Sequence, residues 1–145
     1  MLGVIPAFRD DGYLPEGVHT CTEPEAIFRF GGGSKRRRRL VVRLRRWLEL
    51  ARKVGAQQLL LDGSFVTAKK DPVDIDAVIF LPADFGRQVG GADAAADELE
   101  EMLLTRQPEE LFVAEDESDR REWITVFSRT REPDGRRKGV VEILL

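Results

Sequence analysis

The sequence predicts an α/β domain, a mixed sheet of about four strands flanked by helices. Apolar runs of strand length alternate with stretches of helical periodicity along the chain, the pattern of layered α/β architecture. Several of those runs are apolar at consecutive positions, as expected where a sheet is covered on both faces. The length of 145 residues, 42% hydrophobic, suits one globular domain, residues 1–145, with a sizeable core.

Residues 1–21 hold Pro6, Gly12, Pro15 and Gly17 and are expected to form an extended arm pinned by Ile5, Phe8, Tyr13 and Leu14. Thr22 then has the form of an N-cap, with Pro24 in the first turn and Glu25 three residues on, opening a short helix through about Phe28. Gly31-Gly32-Gly33 breaks it and Ser34 caps a long helix over about 35–54. Within that helix Leu40, Leu44, Trp47, Leu48 and Ala51 recur at three- and four-residue intervals and form one apolar stripe, and Gly55 ends it. Strands are expected at 57–61, 74–81, 110–114 and 139–145, and helices at 93–105 and 119–127. Leu99, Met102 and Leu103 should face inward, as should Trp123, Ile124 and Phe127.

The net charge of −3 conceals a strong polarity. Ten of the 23 basic residues fall between Lys35 and Lys53, where Glu49 is the only acid; residues 91–119 carry eleven acids against Arg106 alone. Such segregation marks either a partner surface or two faces of one fold that complement each other. For the arginine-rich helix the readings are a polyanion-binding face and a solvated face balancing the acidic half. The second is favoured, because readers of single strands interleave aromatics with charge and Trp47 lies on the core stripe. No apolar run nears the roughly 20 residues of a membrane span. With no signal-like N-terminus and one cysteine, Cys21, the expected location is cytoplasmic. His19 and Cys21 are too few for a metal site, and Gly31–Ser34 lacks the Lys-Ser/Thr ending of a phosphate-binding loop.

The chemistry concentrates between residues 59 and 81. Gly63-Ser64 follows the Leu59–Leu61 run, and after nine further residues Asp74-Ile75-Asp76 opens the next strand. Alternation along that strand places Asp74 and Asp76 on one face, roughly 7 Å apart at the backbone, suited to a hard divalent cation shared with phosphates. Without the cation their repulsion would raise one pKa. Gly63 would let a phosphate chain approach the backbone, Ser64 would offer a hydroxyl and an N–H, and Lys69 and Lys70 would neutralise phosphate charge.

Gly63-Ser64, the nine-residue gap and Asp74-Ile75-Asp76 resemble the signature of the nucleotidyltransferase superfamily, which includes DNA polymerase beta, tRNA and aminoglycoside nucleotidyltransferases and the minimal nucleotidyltransferases of toxin–antitoxin pairs. More narrowly, residues 14–22 (Leu-Pro-Glu-Gly-Val-His-Thr-Cys-Thr), 62–69 (Asp-Gly-Ser-Phe-Val-Thr-Ala-Lys) and 138–143 (Lys-Gly-Val-Val-Glu-Ile) are similar to a small prokaryotic family of uncharacterised nucleotidyltransferase-like proteins. The resemblance implies a nucleotidyltransferase-like fold and a third carboxylate on a neighbouring strand. Glu110 matches it best, where the superfamily usually has Asp, and Glu109 stands beside it. It further implies an ATP-binding or other NTP-binding enzyme using Mg2+ or Mn2+, in a toxin–antitoxin type system, with a protein or RNA hydroxyl as acceptor. Asp74, Asp76 and Glu110 would be catalytic and metal-holding, and Gly63, Ser64 and Lys69 would bind nucleotide. The alternative is a catalytically inactive nucleotidyltransferase-like module, an antitoxin or regulator, that binds a partner.

Overall fold

The Thr22 hydroxyl oxygen accepts a hydrogen bond from Glu25 N–H while the Glu25 carboxylate accepts one from Thr22 N–H, so helix α1 (Glu23–Phe30) starts with a complete capping box. Ser34 caps α2 (Lys35–Val54) through Arg37 N–H, and Gly55, at φ 87°, closes it in the left-handed conformation. The expected stripe of α2 is buried in full: Leu40, Leu44, Trp47, Leu48 and Ala51 are each at most 2% exposed. Burial of each leucine contributes about 2 kcal/mol before entropy is counted. These features come from a computed structural model that describes residues 5–105 and 110–145. Glu109 of the sequence reading lies outside the described residues.

Five strands form one mixed sheet, one more than expected: β1 (Gly17–Cys21), β2 (Gln58–Asp62), β3 (Asp76–Phe80), β4 (Glu110–Ala114) and β5 (Gly139–Leu144). Their order is β1-β5-β2-β3-β4. The added strand lies within the stretch read as an arm, and it pairs in parallel with β5 along the sheet edge. β2 runs antiparallel to both β5 and β3, and β3 runs parallel to β4. The parallel β3–β4 pair requires a crossover, which includes the short α3 (Phe85–Gln88) and α4 (Ala94–Thr105).

Alternation along the strands sends side chains into two cores. Leu59, Leu61, Ala77, Ile79, Leu111, Val141 and Ile143 pack with α1, α2 and α4. Leu60, Val78, Ala114 and Val140 pack on the opposite face with Phe127, Trp123 and Ile124 of α5 (Glu117–Phe127). The sheet is thus covered on both sides, which explains its consecutive apolar residues. Arg120 of α5 anchors that helix by pairing with buried Glu142 at 2.7 Å. The charge polarity is partly internal: α2 packs on α4, and Arg46 of α2 donates through Nε to Glu98 of α4 at 2.7 Å. No helix among the described residues is long and apolar enough to cross a membrane.

Candidate active site

The polypeptide turns sharply as it leaves β2. Gly63 takes φ 88° and ψ 179°, a conformation open essentially to glycine alone. A Cβ there would meet Asp74 O at 3.0 Å and Ile75 Cα at 3.1 Å. The immediate demand for glycine is therefore the close approach of the 74–76 backbone, which leaves no room for a side chain. Ser64 opens a single 3-10 turn and ties the same segment down. Its N–H donates to Asp74 Oδ1 at 2.9 Å, its hydroxyl donates to the same oxygen, and its Oγ accepts from Val73 N–H at 3.0 Å. Both groups expected to meet a phosphate are engaged in aiming the Asp74 carboxylate.

β3 begins at Asp76, two residues later than expected, so Asp74 stands in the segment just before the strand. Register then supplies what spacing could not. Asp76 is the Cα partner of Asp62 on β2 and of Glu110 on β4. Three carboxylates form a row across adjacent strands, on the face that carries Leu60 and Val78 toward α5. Asp62, at 5% exposure, is buried. Lys138, just ahead of β5, places Nζ 2.8 Å from Asp62 Oδ1, an ion pair without hydrogen-bond alignment. Burial still dominates, and pushes the Asp62 carboxyl up to about 6 against the pull of Lys138. Burial likewise pushes Asp76 up to about 7, helped by repulsion from Asp74, Asp62 and Glu110.

A cleft of about 310 Å³ opens over Asp62 and Asp76. Asp62, Gly63, Ser64, Asp74 and Asp76 line it, and Tyr13, Lys69, Lys138, Arg129 and Arg131 stand around them. Carboxylates that could share a cation thus face cations that could receive an anionic chain. Glu110, by contrast, is exposed beside Asp76 and outside the cleft lining.

A family model described as "Family of unknown function (DUF6932)" matches residues 6–144. The chain belongs to this family. No curated protein and no solved structure matches it.

Asp74 and Asp76, which both line the cleft, are the pair that could hold a hard divalent cation, which would need its remaining oxygen ligands from outside the protein. A protein-only cage is not assembled, since no three carboxylate, imidazole or thiol groups among the described residues are gathered around one point. Asp62 and Lys138 open the 62–69 and 138–143 stretches of the narrower resemblance, but the sequence does not mark them as site residues. Their one local signal is a charged residue at the end of an apolar strand, next to the glycine-serine turn or to the final strand.

The basic helix is divided in use. Arg36 donates to the carbonyls of Pro72 and Val73, and Arg37 to those of Phe30, Phe65, Thr67 and Lys69. These two arginines hold the loop that joins Ser64 to Asp74. Arg46, Arg52 and Lys53 are ion-paired, while Lys35, Arg38, Arg39 and Arg45 stay exposed. Cys21 is buried, its thiol pushed up to about 12, and His19 donates through Nε2 to Pro15 O at 2.6 Å. Neither faces the cleft.

Proposed function

We propose that the cleft is the centre of a metal-dependent nucleotidyltransferase that moves a nucleoside monophosphate from an NTP to a protein or RNA hydroxyl. One observation carries this reading: Asp74 and Asp76 share a cleft wall that faces Lys69, Lys138, Arg129 and Arg131. Asp74 and Asp76 would hold a Mg2+ or Mn2+ ion, which when bound neutralises and orients the phosphate oxygens. Ser64 fixes the Asp74 carboxylate in advance, so little reorganisation is needed at the moment of reaction. Lys69 and Lys138 would take the outer phosphates. The acceptor oxygen would bond to the α-phosphorus as its bond to pyrophosphate breaks, and Glu110, exposed beside Asp76 and outside the cleft lining, would accept the proton of a hydroxyl that approaches from solvent.

A second reading, a binding module without transfer, is favoured by one feature. The Ser64 N–H and hydroxyl are already spent on Asp74. Incubation with α-labelled NTPs and Mg2+ or Mn2+ separates the two. The enzyme reading expects label on an acceptor, lost with EDTA and lost in Asp74→Asn and Asp76→Asn; transfer that persists in both variants refutes the site. No transfer by the wild type with any NTP, metal or acceptor leaves the module.

A further inference from the structure

Three cations of α2 meet acids: Arg46 pairs with Glu49 and Glu98, Arg52 with Glu23, and Lys53 with Glu49. Around one cavity the pattern fails. A cavity of about 170 Å³ lies between the N-terminal stretch, the end of α1 and the loop at 67–70, walled by Phe8, Arg29, Phe30, Arg37, Lys69 and Lys70, with no carboxylate in its lining. Arg29 stacks 4.5 Å from the Phe8 ring and donates to the carbonyl of Ile5. Arg37 spends its donors on four carbonyls and meets no carboxylate. Asp71 acts on Arg37 through space but is not on the wall. The side chains of Lys69 and Lys70 have no partner among the described residues.

Uncompensated cations around a concave site select an anion. The size narrows the choice, because pockets that enclose a whole small molecule run to roughly 300 Å³ and more. This one has room for a phosphate group with some water and not for a nucleotide. Lys69 is the one residue among those described that lines both this cavity and the cleft. A chain with an anionic group seated here and its end in the cleft would pass over Lys69. A chain with a phosphate at every residue and bases able to lie against the Arg29–Phe8 stack meets these features better than an acidic peptide does.

We propose that this cavity is a phosphate-binding subsite for a single-stranded nucleic acid, held by Lys70 and Arg29, whose end reaches past Lys69 into the cleft as the acceptor. Strand binding rests on the cavity's own charge; the word acceptor rests on the nucleotidyltransferase reading.

The test uses the full chain and a short fluorescent single-stranded oligoribonucleotide, followed by anisotropy over a salt series. Lys70, expected from the sequence to neutralise phosphate charge beside Lys69, is exposed and outside the cleft lining, so Lys70→Ala and Lys70→Glu should fold normally and keep the wild-type affinity for NTP by calorimetry. Lys70→Ala should weaken strand binding about tenfold, the size of one charge-assisted hydrogen bond, and Lys70→Glu further. The slope of log affinity on log salt should drop by about 0.7 for the lost phosphate contact. A wild type that binds no strand at low salt overturns the subsite. So does a Lys70→Glu protein that binds as tightly as wild type, or a strand displaced by an equal charge of oligoglutamate, which would assign the cavity to an acidic protein. Lys70-dependent strand binding by a protein that binds no NTP would uphold the subsite and refute the nucleotidyltransferase reading.

Discussion

Replacing Asp76 by Asn removes a carboxyl from a crowded row and should stabilise the protein at alkaline pH. Burial, then repulsion from Asp74, Asp62 and Glu110, lifts this group from 3.8 to about 7. A carboxyl whose folded pKa exceeds its unfolded value binds more protons in the folded state throughout that window. The contribution of this group to stability is therefore most favourable below about pH 4, falls as pH rises towards 7, and levels off above it. The rise of about three pH units sets a ceiling of about 4 kcal/mol on the cost carried at pH 8. Asn keeps much of the desolvation cost and loses the attraction of Lys138, and the cleft admits water to one side of the group. A net gain of about 1–2 kcal/mol is expected, or roughly 3–6 °C in Tm for a domain of this size. Urea melts of both proteins from about pH 4.5 to about pH 8.5 measure it. The wild type should weaken across the range, and Asp76→Asn should retain only the milder decline due to Asp62, whose carboxyl titrates near 6. Added Mg2+ should stabilise the wild type at pH 8 more than the variant, since ligand binding to the folded state adds to stability. A wild type flat across the window, or an Asp76→Asn protein less stable than wild type at pH 8, would refute the crowded-carboxylate account.

Three further substitutions probe the frame of the site. Lys138→Met strands the buried Asp62 charge and should cost about 3 kcal/mol at pH 8 in urea melts but clearly less at pH 5, where Asp62 is largely protonated; equal losses at both pH values would argue against the ion pair. Gly63→Ala should cost about 1–3 kcal/mol, from its positive φ and the 3.0 Å approach to Asp74 O, whereas Gly86→Ala, with open space around it, should be neutral or slightly stabilising; thermal melts that rank the pair the other way would refute the close-approach argument. Arg37→Lys keeps the charge but cannot reach four carbonyls at once, and should lose about 2 kcal/mol and speed tryptic cleavage at Lys69 and Lys70; wild-type cleavage rates would show that the loop is held by other contacts.

Local chemistry was readable in the sequence and pairing was not. The Thr22–Glu25 capping box, the α2 stripe and strand β4 at 110–114 occur where pattern and cap residues place them, because each depends on neighbours within a few positions. β1 was hidden: Gly17-Val18-His19-Thr20-Cys21 is short, half-exposed except for Cys21, and becomes a strand only by pairing with β5 more than a hundred residues later. Asp62 was hidden for the same reason. Spacing along one strand brings Asp74 and Asp76 to notice, but only the register of β2 against β3 makes Asp62 the neighbour of Asp76. Gly63 was legible as a special residue for one reason and is demanded here by another, the backbone of 74–76 passing within 3.1 Å of where a Cβ would be.

That register also ties the candidate chemistry to the stability of the fold. Because β2 runs antiparallel to β3 and β5, its C-terminal end meets the N-terminal ends of both, and the parallel β3–β4 pair adds the start of β4. Asp62, Asp76, Glu110 and Lys138 are therefore gathered at one end of the sheet by strand direction alone. The α5 layer covers Leu60, Val78, Ala114 and Val140 and leaves the charged row beyond it open to the cleft. A slip of one residue between β2 and β3 would move Asp76 to the opposite face, among Leu61, Leu59 and Ile79 of the main core, where a carboxylate has no partner. The Gly63–Ser64 turn opposes such a slip, since Ser64 is bonded to both Val73 N–H and Asp74 and Gly63 fits only against the 74–76 backbone. The turn that aims Asp74 into the cleft is thus the same device that fixes which face the carboxylates occupy, so loosening it should cost register and site together.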